Sequence, residues 1–199
     1  MTRATPSRPF HVVAIGGSIR ARSSTELALR AVLRAAAECG AETTLFSGPD
    51  LVLPPYEPGV VDDSARRMLD AVESADALVI GSPGYHGTIS GLVKNAVDYL
   101  EELRLGQRCY VDGLPVGCVA TAYGWQAAVN TLGTLRVLAH SLRGWPTPLG
   151  MALNMAAAPV FGEDGGVVEP SVAASAEIMA SQLLSFGRAG AEPVASPVA

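Results

Sequence analysis

Short apolar runs alternate with amphipathic stretches along most of this 199-residue chain. Five apolar runs end in turn residues, at 11–15, 43–47, 77–82, 115–121 and 148–153. Such runs are typical of parallel strands that are buried on both faces. Five stretches with apolar residues at helical spacing lie between or after them, at 24–40, 62–76, 89–104, 128–143 and 171–187. Parallel strands need crossover connections, so the alternation predicts a three-layer, doubly wound α/β sandwich.

The alternation also predicts where a ligand binds. A doubly wound sheet of five parallel strands commonly has the order 2-1-3-4-5, and its ligand crevice lies beyond the carboxyl ends of the strands where that order reverses. We therefore expect the loops after strands one, three and four to carry the function. The domain is expected over 10–187, with flexible tails at 1–9 and 188–199, where Pro, Ala and Ser residues show no periodicity.

Composition argues against several classes of function. The formal net charge of −5 provides no basic surface for nucleic acid or an anionic membrane. No apolar run approaches the ~20 residues that cross a bilayer, so we expect a cytoplasmic protein with a small-molecule partner. The spacing of Cys39, Cys109 and Cys118 matches no metal-binding motif, and we expect no metal site.

The loop after the first strand has residues suited to binding a phosphate. It lacks the G-x-G-x-x-G spacing of a dinucleotide site and the Gly-Lys pair of a triphosphate-binding loop. Hydroxyl groups and one guanidinium precede the next helix or begin it, from Ser18, Arg20, Ser23, Ser24 and Thr25. Together with the N–H groups of a helix start, they suit one terminal phosphate. Alternatively, Ser23 or Ser24 only caps the helix, with Glu26 in its first turn.

A second motif follows strand three, between Gly81 and Leu100. The two motifs together resemble the NADPH-dependent FMN reductase family, whose usual forms are G-S-x-R-x-x-S-x-N after strand one and P-x-Y-N-x-x-x-P-G-x-L-K-N-A-[IV]-D-[WY] after strand three. The matching residues are Gly17, Ser18, Arg20 and Ser23 in the first form, and Pro83, Tyr85, Gly91 and 94–99 in the second. The resemblance covers about residues 11–155 and implies a flavodoxin-like fold that binds FMN.

Four positions depart from the family forms. Thr25 replaces asparagine in the first motif; in the second, Gly84 stands where an acidic residue is common, His86 replaces asparagine and Ser90 replaces proline. The change at 84 removes a charge close to the expected flavin edge, and the change at 86 adds a titratable ring. The resemblance therefore does not fix substrate preference or redox tuning.

The resemblance implies that the pyrimidine edge of the flavin lies against the turn-rich stretch after strand three. The candidate residues there are Pro83, Gly84, Tyr85, His86 and Gly87. Tyr85 either lines the pocket or packs on the following helix. His86 either donates a hydrogen bond to N5 of the reduced flavin or is a solvent-exposed loop residue.

Further candidates follow from the same resemblance. Tyr123, Gly124 and Trp125, after strand four, lie where a flavin-contacting loop belongs, and Trp125 covers either the ring or a dimer contact. Tyr56, in a proline-rich connection, is a candidate border of a neighbouring subunit's substrate pocket. Independently of the resemblance, Asn95 and Asp98 lie three apart on one helix face and are expected to tie the backbone of the preceding loop.

The resemblance implies an NAD(P)H-dependent FMN oxidoreductase. Hydride would pass from the nicotinamide to FMN and on to a flavin, quinone, azo or pathway-metabolite acceptor, and no side chain need act as a catalytic nucleophile. NADPH is the expected donor, and Arg22 either helps to hold its 2′-phosphate or is solvated. A homodimer or tetramer is implied, and a reductase that releases reduced FMN would serve a flavin-dependent monooxygenase.

Two alternatives belong to other classes of protein. The first is a flavodoxin-type electron-transfer protein without its own NAD(P)H site, although flavodoxins are usually more acidic and lack the counterpart of Arg20. The second is a relative of this fold that has lost the cofactor and acts only as a binding domain. The set of Ser18, Arg20 and Ser23 argues against that second alternative.

Overall fold

The computed structural model describes residues 8–190, over which the chain forms seven strands and five helices. The strands are β1 (His11–Gly16), β2 (Glu42–Phe46), β3 (Ala77–Tyr85), β4 (Thr88–Ile89), β5 (Pro115–Ala122), β6 (Trp145–Pro146) and β7 (Met151–Asn154). The helices are α1 (Ser24–Glu38), α2 (Asp63–Ser74), α3 (Gly91–Asp98), α4 (Trp125–Ser141) and α5 (Pro170–Gly190). Two short 3-10 helices, Gly48–Leu51 and Tyr99–Leu103, lie in the connections.

The sheet has the order β2-β1-β3-β5, and both β6 and β7 pair with β5 beyond it. All of these pairings are parallel, whereas β4 pairs antiparallel with β3. With β7 as the fifth strand, the predicted order 2-1-3-4-5 is confirmed. The predicted strand at 148–153 corresponds to β7, which begins only at Met151 because Pro148 at the start of that range has no N–H to donate to a ladder. The short strand β6 lies before the predicted range and was not expected.

Alternate residues of the central strands face opposite sides of the sheet. Val13 and Ile15 of β1 belong to the hydrophobic cluster formed with α2, α3 and α4, whereas Val12 and Ala14 belong to the cluster formed with α1 and α5. All four side chains are fully buried. A single strand thus supplies both cores, as the two-residue period of a strand dictates.

Capping side chains fix where three of the helices begin. The side chains of Ser23, Asp62 and Ser90 accept a backbone N–H from the first turn of α1, α2 and α3, respectively. Ser90 accepts from Val93 at 3.2 Å. This hydrogen bond explains how α3 starts cleanly without the proline of the family form.

The predicted tails lie largely outside the described residues. Within the part that is described, Arg8 forms an ion pair with Asp76 at 2.7 Å, and α5 continues to Gly190. Flexible tails at 1–9 and 188–199 stay a prediction. None of the helices within residues 8–190 combines the length and the apolar character needed to cross a membrane.

Candidate functional site

The carboxyl ends of β1, β3 and β5 meet at one edge of the sheet. Gly16 lies opposite Gly81 in the β1–β3 pair, and Pro83 lies opposite Thr121 in the β3–β5 pair. The predicted site residues lie in or beside the connections at this edge: Ser18, Arg20, Ser23, Ser24 and Thr25 after β1, Pro83, Gly84, Tyr85, His86 and Gly87 at the end of β3, and Tyr123, Gly124 and Trp125 after β5. The fold therefore brings the three predicted segments to the same edge.

The connection between β1 and α1 leaves several donors without a protein partner. The guanidinium of Arg20 and the hydroxyl groups of Ser18 and Ser24 make no hydrogen bond within residues 8–190, and Arg20 is exposed. The N–H groups of Ser24 and Thr25, at the start of α1, likewise bind no acceptor in this range. A helix start with free N–H groups, hydroxyls and one guanidinium fits a phosphate group.

Ser23 and Thr25 are both buried in this connection, and their hydroxyl groups have protein partners. Ser23 Oγ accepts the N–H of Glu26 at 3.3 Å, so Ser23 caps α1, and its own proton remains available to a ligand. Thr25 Oγ1 lies 2.6 Å from Thr121 Oγ1 on β5. The side chain of Thr25 therefore joins α1 to the sheet, and only its backbone N–H is without a partner within residues 8–190.

Arg22 makes a contact that links distant parts of the chain. Its guanidinium donates to the carbonyl oxygen of Glu163 at 2.5 Å, in the connection between β7 and α5. One nitrogen of the side chain is thus engaged, although the side chain remains exposed. Contacts such as Arg22–Glu163 and Thr25–Thr121 join residues 141 and 96 positions apart, and no local motif signals them.

The stretch after strand three is a β-hairpin rather than an irregular loop. Gly84 pairs with Ile89 and Tyr85 with Thr88, which leaves His86 and Gly87 as the turn. Both turn residues have positive φ, 52° and 86°, as a type I′ turn requires. Asn, Asp and His tolerate this conformation better than other side chains do. The backbone geometry therefore explains why histidine can replace the asparagine of the family form.

Substitutions at His86 test this turn. Asparagine (H86N) is expected to keep the free energy of unfolding within about 0.5 kcal/mol of the original. Valine (H86V) is expected to lower it by about 1–2 kcal/mol, because a β-branched side chain is strained at positive φ. Urea unfolding measures both, with Thr88→Val as a control in a strand, where a β-branched residue is favourable. Equal stability of H86V and H86N would contradict the left-handed backbone conformation at position 86.

Gly84 departs from the family form because helix α4 lies directly against it. A Cβ atom at this position would lie 2.7 Å from Thr131 Oγ1 and 3.2 Å from both Ala122 Cβ and the carbonyl oxygen of Ala127. An acidic side chain does not fit unless α4 moves away. Thr131 Oγ1 is itself buried and has no hydrogen-bond partner within residues 8–190. The absence of a charge at this edge thus follows from the packing of α4.

Three aromatic side chains are exposed at the same edge. Tyr85, Tyr123 and Trp125 are 53%, 78% and 60% exposed. The exposure of Tyr85 does not support the alternative in which it packs on the following helix. His86 is also exposed at the tip of the hairpin. Exposed rings beside accessible backbone suit a planar aromatic ligand.

Asn95 has a structural role in a different place from the one predicted, and Asp98, which was predicted with it, accepts from Lys94 instead. Asn95 Oδ1 accepts the N–H of Tyr56 at 2.8 Å, and Asn95 Nδ2 donates to the carbonyl oxygen of Pro54 at 2.8 Å. Asn95 therefore ties the proline-rich connection after β2, and the prediction that it ties the loop before α3 is wrong. The chain folds this connection across α3, a long-range contact that the local pattern does not encode.

The Tyr56 hydroxyl group is engaged as well. It donates to Glu102 Oε1 at 2.8 Å, and the ring packs edge-on against Tyr99 with centroids 5.2 Å apart. Burial, together with the hydrogen bond to the Glu102 carboxylate, raises the pKa of Tyr56 to about 12. The N–H of Gly59 and the Tyr56 hydroxyl in turn lower the pKa of Glu102. Tyr56 stays a candidate for a pocket border only through its ring.

A cavity of about 520 Å³ lies beside the start of α1, between Ser24, Leu27 and residues 155–162. This cavity borders the connection between β1 and α1 but does not reach the hairpin at 83–87. Among the described residues, no three His, Cys, Asp or Glu side chains are grouped so that they could hold a metal ion.

Comparisons with known proteins agree with the motifs. The family described as NADPH-dependent FMN reductase matches residues 10–158. The FMN-dependent NADPH-azoreductase of Staphylococcus haemolyticus is 37% identical over 94 residues, which are 47% of this chain and 46% of that protein. The protein of the same name from Staphylococcus aureus strain USA300 is 34% identical over 97 residues, 47% of this chain and 48% of that protein. The matched segment thus spans about half the length of these curated relatives.

Solved structures share the fold at low sequence identity. FerB from Paracoccus denitrificans, a flavoenzyme NAD(P)H:(acceptor) oxidoreductase, has a TM-score of 0.72 and 21% identity, covering 89% of this chain and 98% of that one. A WrbA-like flavodoxin from Agrobacterium tumefaciens has a TM-score of 0.62 and 17% identity, covering 91% and 99%. These likenesses confirm the flavodoxin-like fold. Because the family match spans both motif loops and most of the sheet, the chain belongs to the NADPH-dependent FMN reductase family.

Proposed function

We propose that this chain is an NAD(P)H-dependent FMN oxidoreductase. The observation that carries the proposal is the set of donors of Ser18, Arg20 and Ser24, which lie before or at the start of α1 and have no partner within residues 8–190. When bound, FMN supplies the redox chemistry, taking a hydride from the nicotinamide and passing electrons to an acceptor. The names of the curated relatives support NADPH as donor and FMN as cofactor.

The residues of the chain hold and orient the cofactor in this proposal. The Arg20 guanidinium, the Ser18 and Ser24 hydroxyls and the N–H groups at the start of α1 bind the phosphate. The hairpin at 83–87 presents its backbone to one edge of the flavin ring, and Tyr123, Gly124 and Trp125 flank the ring on the β5 side. No side chain is assigned as a general acid, base or nucleophile.

The aromatic rim supports an aromatic acceptor. Tyr85, Tyr123 and Trp125 present exposed rings at this edge, and stacking on such rings favours quinone, flavin or azo compounds over aliphatic ones. The name of the staphylococcal relatives, azoreductase, supports the azo class. If FMN is instead released after reduction, the partner is a flavin-dependent monooxygenase.

The proposal includes a homodimer, or a tetramer built from two of them, in the cytoplasm. Val129 and Val137 lie eight residues apart on α4 and are 55% and 63% exposed. Apolar side chains at this spacing form one stripe on a helix, which supports contact with a second copy. The three cysteines are free thiols, as is usual in a reducing compartment.

Anaerobic spectroscopy tests the proposed activity. The purified protein, supplied with FMN, is expected to show the flavin absorption bands and to lose them when NADPH is added without any other protein. Reoxidation by an azo dye or a quinone then measures transfer to the acceptor. Flavin that stays oxidised until a separate reductase is added would contradict this proposal and favour an electron-transfer protein. Failure to bind FMN in a fluorescence titration would overturn the assignment of the cofactor site.

A further inference from the structure

A buried carboxylate lies next to the proposed phosphate site. Glu26, the third residue of α1, is 7% exposed. Its Oε1 accepts from Arg30 Nε at 2.8 Å, and its Oε2 accepts from the backbone N–H of Arg22 at 3.0 Å. By charge alone, a carboxylate at this position repels a phosphate. A carboxylate in the first turn is favourable for the helix itself, and its hydrogen bond to Arg22 is an additional contact with the connection before the helix.

The contact with Arg22 holds an unfavourable backbone conformation. Arg22 has a φ of 54°, in the left-handed region that non-glycine residues seldom adopt. Glu26 binds its N–H, and Glu163 binds its guanidinium at 2.5 Å. Arg22 is thus held through its backbone N–H and through its side chain, directly before the Ser23 cap. Arg22 lies in the turn that leads from Ser18 and Arg20 to the start of α1, so its backbone conformation affects how those two residues are placed relative to the helix start.

We propose that Glu26 is a positioning residue for the phosphate of FMN. It acts through the Arg22 N–H, which keeps the β1–α1 connection in a shape that is ready to bind a phosphate before the ligand arrives, and the ion pair with Arg30 compensates its charge. This inference rests on the proposed function and deepens it. Glu26 itself does not touch the ligand.

A positioning role and a purely electrostatic role of Glu26 predict opposite changes in FMN affinity when the carboxylate is removed. If Glu26 acts only as a nearby negative charge, alanine at position 26 (E26A) should tighten FMN binding. If it positions the connection, E26A should weaken binding although the repulsion is gone. Glutamine (E26Q) separates the two effects, because its amide oxygen can still accept the Arg22 N–H without a negative charge.

Titrations with FMN and with riboflavin, which lacks the phosphate, show whether a change in binding arises at the phosphate. We expect E26A to weaken FMN binding about tenfold, the value of one lost hydrogen bond of ordinary strength. E26Q should stay within about twofold of the original, and riboflavin should bind all variants equally. Glu38→Ala, which removes an exposed carboxylate at the other end of α1, is the matched control and should change neither ligand.

The outcomes decide between the possibilities. E26A that binds FMN as tightly as the original, or more tightly, overturns the inference. E26Q as weak as E26A also overturns it, since the effect would then come from the Arg30 ion pair. Should E26A fail to fold, Glu26→Asp is the substitute, because it keeps the charge but shortens the side chain. If that variant binds both FMN and riboflavin as tightly as the original protein does, the positioning role is equally refuted. If the original protein binds no FMN, the proposed function fails instead.

Discussion

Replacing Arg20 by alanine (R20A) is expected to weaken FMN binding by about 10- to 100-fold. The Arg20 guanidinium is exposed and has no partner within residues 8–190, so its hydrogen-bonding capacity is available to a phosphate. A charge-assisted hydrogen bond contributes about 1.5–3 kcal/mol, which corresponds to this range of dissociation constants. Because the side chain stabilises nothing else in the described structure, the unfolding midpoint should stay unchanged.

Fluorescence titration with FMN and riboflavin measures this effect. Arg34→Ala is the matched control, since Arg34 is exposed on α1 and its loss changes the net charge equally. R34A should bind FMN almost as the original does, because a distant surface charge is screened by salt. Equal losses of FMN affinity in R20A and R34A would mean that only the overall positive charge of the protein surface affects binding. A loss of riboflavin binding in R20A would place the residue near the ring and refute its role at the phosphate.

The order of strands and helices could be predicted because it depends on local periodicity. The end of β3 could not, since Ser82, Pro83 and Gly84 together indicate a turn. The strand nevertheless continues to Tyr85. Beyond Gly81, β3 has β5 on one side but no longer pairs with β1. The missing N–H of Pro83 therefore costs no ladder hydrogen bond on that side, as proline at a sheet edge allows.

The candidate site could be predicted only as far as its motifs extend. Ser18, Arg20 and the stretch 83–87 belong to local motifs, and the structure has them at the strand ends where the sequence predicts them. Their partners are not local: Thr25 meets Thr121, and Arg22 meets Glu163. Such contacts depend on how helices and loops pack over the sheet, and a single sequence contains no signal for that packing. The role of Thr25 as a link to β5 was missed for this reason.

Alanine at Gly16 (G16A) is expected to lower the free energy of unfolding by about 3 kcal/mol or more. A Cβ atom at this position would lie 2.0 Å from the carbonyl oxygen of Gly81 and 2.7 Å from its carbonyl carbon. Both are backbone atoms of the paired strand, so neither can move without breaking the register between β1 and β3. The φ of Gly16, 153°, is also one that side chains seldom adopt.

Thermal unfolding measures this effect, and a loss of about 3 kcal/mol corresponds to a midpoint about 6–12 °C lower in a chain of this size. Gly40→Ala is the matched control: its φ is 84°, but a Cβ atom there would meet nothing within 4 Å, so only about 1 kcal/mol of backbone strain is expected. Gly81→Ala should fall between the two, because its Cβ would meet the Leu29 side chain at 2.9 Å, and a side chain can shift where backbone cannot. Equal midpoints for G16A and G40A would contradict the close approach of the two strands, on which the position of the connection that begins at Gly17 depends.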